Sequence, residues 1–166
     1  LEDIVSAWLK LNPQNATLTL RGPDSGHVKP RIVEMAAPLL NKTIFFAPPV
    51  GEDDLIDAAR PFDVGIIPYP ASSSLNQRYC SPNKMGQYMQ AGLAILASDT
   101  DFVKSVIGSN HCCLLYQSGN IEDLAQNMRT LLTTPQLVKE LRTNAKSTGQ
   151  NVFNWSKFES TLYSLV

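Results

Sequence analysis

Five short apolar runs punctuate this chain: "ATLTL", "KTIFFA", "DVGIIPY", "LAILAS" and "CCLLY". Each is rich in β-branched, aromatic or aliphatic residues, so each reads as a short strand. Helical periodicity fills most of the intervals. "LEDIVSAWLKLNP" carries Ile4, Val5, Trp8, Leu9 and Leu11 on one face. "VKPRIVEMAAPLL" is helical in part, and "EDDLIDAAR" places acids in its first turn, where the helix dipole favours them. "DFVKSVIG" is short, with Asp99 in position to cap it. "GNIEDLAQNMRTLLT" is amphipathic, and "PQLVKELRTNAKSTGQN" has proline at its first turn. "SKFESTLYSLV" reads as a closing helix.

Alternating strands and helices, with most strands followed by a helix, predict an α/β chain. The expected architecture is a doubly wound, Rossmann-like parallel sheet with helices on both faces, in three layers. No repeat, low-complexity tract or linker interrupts it, so one domain is expected over residues 1–166. Such sheets bind ligands beyond the carboxyl ends of their strands.

Composition narrows the partners. The net charge of −1 gives no basic footprint for nucleic acid or an anionic membrane. No apolar run approaches the roughly 20 residues that span a bilayer. Cys80, Cys112 and Cys113 lack zinc-type spacing, and Cys112-Cys113 lies in an apolar run as two small core residues. His27 and His111 have no partners at metal-ligand spacing, so no metal is expected. These features favour a reducing cytoplasm, where the sequons at Asn15, Asn41 and Asn154 stay unmodified. Leu1-Glu2-Asp3 does not read as a secretory leader, and the first helix is already under way at Leu1. The expectation is a piece of a longer protein.

The stretch "YCSPNKMGQYMQAGLAILASD" carries the most chemistry. Ser81 is a good N-cap, and Pro82 suits the first helical position. The preceding strand delivers this helix to the ligand edge of the sheet. Its unpaired N–H groups and positive dipole end make an anion site. Lys84 adds a full charge, and Gln87 lies on the same face, about 5 Å further along the axis. Met85, Tyr88 and Met89 face the other way and suit a core. A nucleoside diphosphate fits that geometry. A structural reading also stands: many helices open on Ser-Pro, and Lys84 is then simply solvated.

The order of motifs weighs between the two. "SPNKMGQYMQAGLAILASD" resembles the donor-binding motif "SPNK(L)(F)EYMAAGLPVVASD" of retaining group 1 glycosyltransferases with the two-lobed GT-B architecture. "ATLTLRGPDSG", "TIFFAPPVGEDDLIDAARPFDVGIIPY", "GNIEDLAQNMRTLLTTPQLVKELRTNA" and "FNWSKFESTLYSL" resemble other segments of that family in the same order. The resemblance covers nearly the whole chain.

It implies a C-terminal, donor-binding lobe. The N-terminal lobe and the opening of the C-terminal lobe, with its basic loop, then lie outside these residues. The fragment alone is expected to be inactive. The intact enzyme is expected to move a hexose-like sugar from a nucleotide diphosphate to an acceptor, with retention and without a metal. A polysaccharide or glycolipid acceptor would place it in the cytoplasm, peripheral to the inner membrane face. Amides at Ser81, Pro82's neighbour Asn83 and Lys84 would face the diphosphate. The resemblance sets Gly22 near the phosphates or base, and Pro49 and Val50 beside the base. Two glutamates of the family fall here on Tyr79 and Gln87. Gln87 retains hydrogen bonding to a ribose, whereas Tyr79 cannot act as the sugar-contacting carboxylate. No catalytic residue is assigned. Those two departures leave open a non-catalytic interaction module of the same fold. A nucleotide-dependent oxidoreductase fits less well, because "RGPDSG" lacks G-x-G-x-x-G spacing.

Overall fold

All five apolar runs form strands in the computed structural model of the chain: β1 Leu18–Arg21, β2 Ile44–Ala47, β3 Val64–Ile67, β4 Ala94–Ser98 and β5 Cys113–Tyr116. The structure describes residues 1–23, 28–69, 83–107, 110–154, 156, 159, 163 and 164. Around the strands lie α1 Glu2–Leu11, α2 Val28–Ala36, α3 Leu55–Ala59, α4 Asn83–Ala91, α5 Asp101–Val106, α6 Ile121–Thr133 and α7 Pro135–Asn151. A 3-10 turn, Glu52–Asp54, leads into α3. The closing helix expected over residues 156–166 lies largely outside the described residues.

Every ladder is parallel, as the alternation requires. Leu18 pairs with Ile44, Val64 with Ala94, and Ile95 with Cys113. The strands nevertheless divide into two sheets, β1-β2 and β3-β4-β5, where one continuous sheet was expected. Local sequence dictates strand formation but not which edges meet, and β1 and β3 do not meet. The result is still a parallel α/β, Rossmann-like fold with helices around it.

β4 shows how the layers are built. All of its residues are buried. Ala94 and Leu96 join a core with Ile4, Trp8, Leu20 and Met128 from β1 and the α1 and α6 layer. Ile95 and Ala97 join a second core with Met85, Met89, Val103 and Ala145 on the opposite face. Period-two alternation thus feeds two helix layers from one strand. α1 ties the two sheets together. The Trp8 indole Nε1–H donates to Thr43 Oγ1 beside β2 at 3.1 Å. Lys10, two residues before the left-handed Asn12 that ends the helix, pairs with Glu122 on α6.

One local expectation changes and another becomes definite. The partly helical stretch 28–40 resolves into α2, which ends at Ala36. Pro38 lies just beyond and disfavours a helical residue before it. Asp99 does not cap α5. Its N–H still donates to Tyr116 O at 2.9 Å, continuing the β4-β5 pairing. Thr100 takes the cap position, its hydroxyl accepting from the Val103 N–H.

Candidate functional site

The carboxyl ends of β1, β2 and β3 deliver three chain segments to one side of the molecule. After β1 comes Gly22, after β2 the turn Pro48-Pro49-Val50, and after β3 Pro68-Tyr69. All of them border one cavity of about 1960 Å³. The start of α4 borders it too, through Asn83, Lys84 and Gln87. Asn83 and Lys84 are exposed, and Gln87 is half-buried. Helical spacing sets Lys84 and Gln87 on the cavity side, while Met85 and Met89 are fully buried in the core behind. The structure therefore brings together Gly22, Pro49, Val50, Asn83, Lys84 and Gln87. Tyr79, Ser81 and Pro82 lie outside the described residues, as does Asp24.

The depth of α4 is set by a glycine. A Cβ on Gly65 of β3 would stand 2.3 Å from Cδ2 of Tyr88. With hydrogen there, the Tyr88 ring lies flat on the strand and lowers the helix onto the sheet. Burial pushes the Tyr88 phenol up from its usual pKa, so it stays neutral.

Hydrogen bonds between loops shape the rim. Arg21 Nη1 donates to Pro48 O at 2.9 Å, which joins the β1 and β2 ends. Tyr69, where the chain leaves β3, is held at both backbone groups. Its N–H donates to Ser98 Oγ at 3.0 Å, and its carbonyl accepts from Ser118 Oγ at 2.8 Å. The Ser118 N–H donates to Asp99 Oδ1 at 2.9 Å, and Lys104 Nζ lies 2.8 Å from Asp99 Oδ2. Burial opposes the charge on Asp99, but the Lys104 ammonium and the Ser118 amide outweigh it and lower its pKa. Sequence reasoning did not assign Arg21, Ser98 or Ser118 to the site. Ser98 offered one signal, as a polar residue closing an otherwise apolar strand. For Ser118, 49 residues from Tyr69, no local pattern points to its partner.

Chemically, this rim offers the first described turn of a helix, one lysine and one amide, with glycine and proline turns bordering the same cavity. It suits an anionic ligand carrying hydroxyl groups. Among the described residues, no cluster of His, Cys, Asp and Glu is arranged to hold a metal ion. None of their helices is long and apolar enough to cross a membrane.

Solved structures share this fold. Sucrose-phosphate synthase from Thermosynechococcus elongatus superposes with a TM-score of 0.78 at 19% identity, over 99% of this chain and 40% of that one. Anabaena HepE, solved in complex with UDP and glucose, gives 0.76 at 14% identity, over 98% of this chain and 43% of that one. The C-terminal domain of a group 1 family glycosyl transferase from Francisella tularensis gives 0.71 at 13% identity, over 93% and 79%. At such identities the likeness is one of fold. The chain spans about two fifths of the length of the first two structures. No curated protein matches the sequence significantly. The sequence profile described as "Glycosyl transferases group 1" matches residues 1–134, most of the chain. The chain belongs to the group 1 glycosyltransferase family.

Proposed function

We propose that these residues form the donor-binding, C-terminal lobe of a two-lobed glycosyltransferase. The observation that carries this reading is the meeting of the α4 start, Lys84 and Gln87 with Gly22, Pro49 and Val50 at one rim. A nucleotide diphosphate sugar lies across that rim. Its diphosphate faces the amides of Ser81, Asn83 and Lys84, its ribose hydroxyls face Gln87, and its base lies against Pro49 and Val50. Loss of the sugar breaks the bond from its anomeric carbon to the phosphate oxygen. The negative charge that develops on the leaving diphosphate is met by the helix dipole and the Lys84 ammonium. The sugar passes, with retention, to an acceptor held by an N-terminal lobe on the same protein. No metal takes part.

UDP is the first nucleotide to test, because the Anabaena relative is solved with UDP and glucose. The acceptor is a polysaccharide or glycolipid precursor, which places the intact enzyme in the cytoplasm at the inner membrane face.

The test is an amide NMR titration of residues 1–166 with UDP, GDP and ADP to millimolar concentration. Shifts from one nucleotide at Gly22, Val50, Asn83, Lys84 and Gln87 are expected, and a Lys84→Ala, Gln87→Ala double variant loses them. A well-folded sample without shifts overturns the reading in favour of a non-catalytic interaction module.

A further inference from the structure

The helix that opens the candidate site is held from behind by the last turn of α7. Met85 and Met89 of α4 pack with Ala145 of α7 in the second core, and none of the three borders the cavity. Where the helices meet, α7 carries Gly149. A Cβ there would stand 2.8 Å from Met89 Cβ and 3.5 Å from the Met89 carbonyl carbon, so the α7 backbone rests directly on α4.

α7 then ends in a tight turn. The N–H groups of Val152 and Phe153 both donate to Thr148 O, at 2.9 and 2.8 Å. This turn brings the Phe153 ring back onto α4. Its Cε1 lies 3.5 Å from the point that a Cβ on Gly86 would occupy. Phe153 opens the segment "FNWSKFESTLYSL", which the site does not otherwise use. From the sheet side, Gly65 meets Tyr88. Positions 86, 88 and 89 are thus fixed by Phe153, Gly65 and Gly149. Lys84 and Gln87, which border the cavity, inherit the placement that those contacts set.

We propose, on the basis of the donor-site reading, that Gly149 and Phe153 are positioning residues for the nucleotide sugar. They touch no ligand. They set the depth and rotation of α4, and so aim Lys84 at the diphosphate and Gln87 at the ribose. Magnitudes favour this role. Carbon atoms rest about 3.5–4.0 Å apart, so a methyl group at position 149 would push the helices apart by about 1 Å. Neither contacting atom of Met89 is the end of a flexible side chain, so the helices themselves must move. A binding site tolerates about 0.5 Å of such displacement.

The test compares the parent chain with Gly149→Ala, Phe153→Ala and Phe153→Leu, and with Gln150→Ala, an exposed position in the same turn of α7. UDP, GDP and ADP affinities are measured at a temperature where each variant is fully folded by circular dichroism. Amide spectra are recorded without ligand. Gly149→Ala should shift the amides of Asn83, Lys84 and Gln87 and weaken the preferred nucleotide about tenfold, although alanine is the better helix former. Phe153→Ala should weaken it as well. Phe153→Leu, which keeps a side chain against Gly86, should restore most of the affinity. Gln150→Ala should change neither readout. If Gly149→Ala and Phe153→Ala alter the melting temperature but leave nucleotide affinity at the parent value, the two residues are structural only and the proposal is overturned. Should Gly149→Ala fail to fold, the two Phe153 variants decide by the same readout. A folded parent chain that binds none of the three nucleotides overturns the donor-site reading and the positioning role together.

Discussion

The aromatic ring of Tyr88 rests on the α-carbon of Gly65, leaving no room for a methyl group between α4 and β3. The helix that opens the candidate site is thus positioned by a missing side chain. Gly65→Ala forces the ring, the helix or the strand to move. A loss of about 1–3 kcal/mol in stability is expected, read from urea unfolding. Adding Tyr88→Ala removes the clash, so the double variant loses less than the sum of the two single changes. Additive losses would show that the contact does not set the height of α4.

The Asp99 carboxylate titrates below its usual value, held by Lys104 and the Ser118 amide against its own burial. A depressed pKa contributes stability above the unfolded value of about 3.9. That contribution is lost as pH falls through the lower folded value. Asp99→Asn should therefore lower the melting temperature near neutral pH and make the remaining acid loss shallower between about pH 5 and pH 3. Melting followed by circular dichroism across that range checks it. An unchanged acid slope would rule out the pairing.

The bond from Trp8 to Thr43 couples α1 to the β1-β2 sheet. Trp8→Phe leaves the buried Thr43 hydroxyl without this donor, at a cost of about 1–3 kcal/mol. Thr43→Val in the same background removes the stranded hydroxyl and recovers part of the loss. Chemical denaturation of the four variants in the cycle gives the coupling directly. Zero coupling would mean that α1 is held by packing alone.

Cys113 is pushed up to about 12 by burial and by the neighbouring Cys112, whose own thiol is raised by burial. The reactive thiolate is thus scarce at both sites. Neither residue should react with iodoacetamide at pH 8 in the native protein, and both should react in urea. Peptide mass spectrometry separates them from Cys80. Rapid native labelling of the Cys112-Cys113 peptide would contradict its core position.

The strands were legible because each carries its signal within itself. "LAILA" is apolar on both faces, as a strand covered by helices on both sides requires, and β4 is buried throughout. The helix at Asn83 was legible from the spacing of Lys84, Met85, Gln87 and Met89. The division into two sheets was not, because no residue in β1 or β3 encodes its lateral neighbour. The same holds for the rim. Arg21 meets Pro48 across 27 residues, and Ser118 meets Asp99 across 19. The cap of α5 moved from Asp99 to Thr100 because a ladder hydrogen bond claimed Asp99 first, a competition that local propensity does not contain.

The split between β1 and β3 also bears on how this polypeptide behaves in a tube. Peripheral strands are commonly blunted by lysine, proline or a bulge that discourages sticking to neighbours. In β1 only the closing Arg21 is charged, and Val64–Ile67 of β3 carry neither charge nor proline. Residues 1–166 should therefore lose solubility with rising concentration through edge-to-edge growth, at rates set by how often molecules collide.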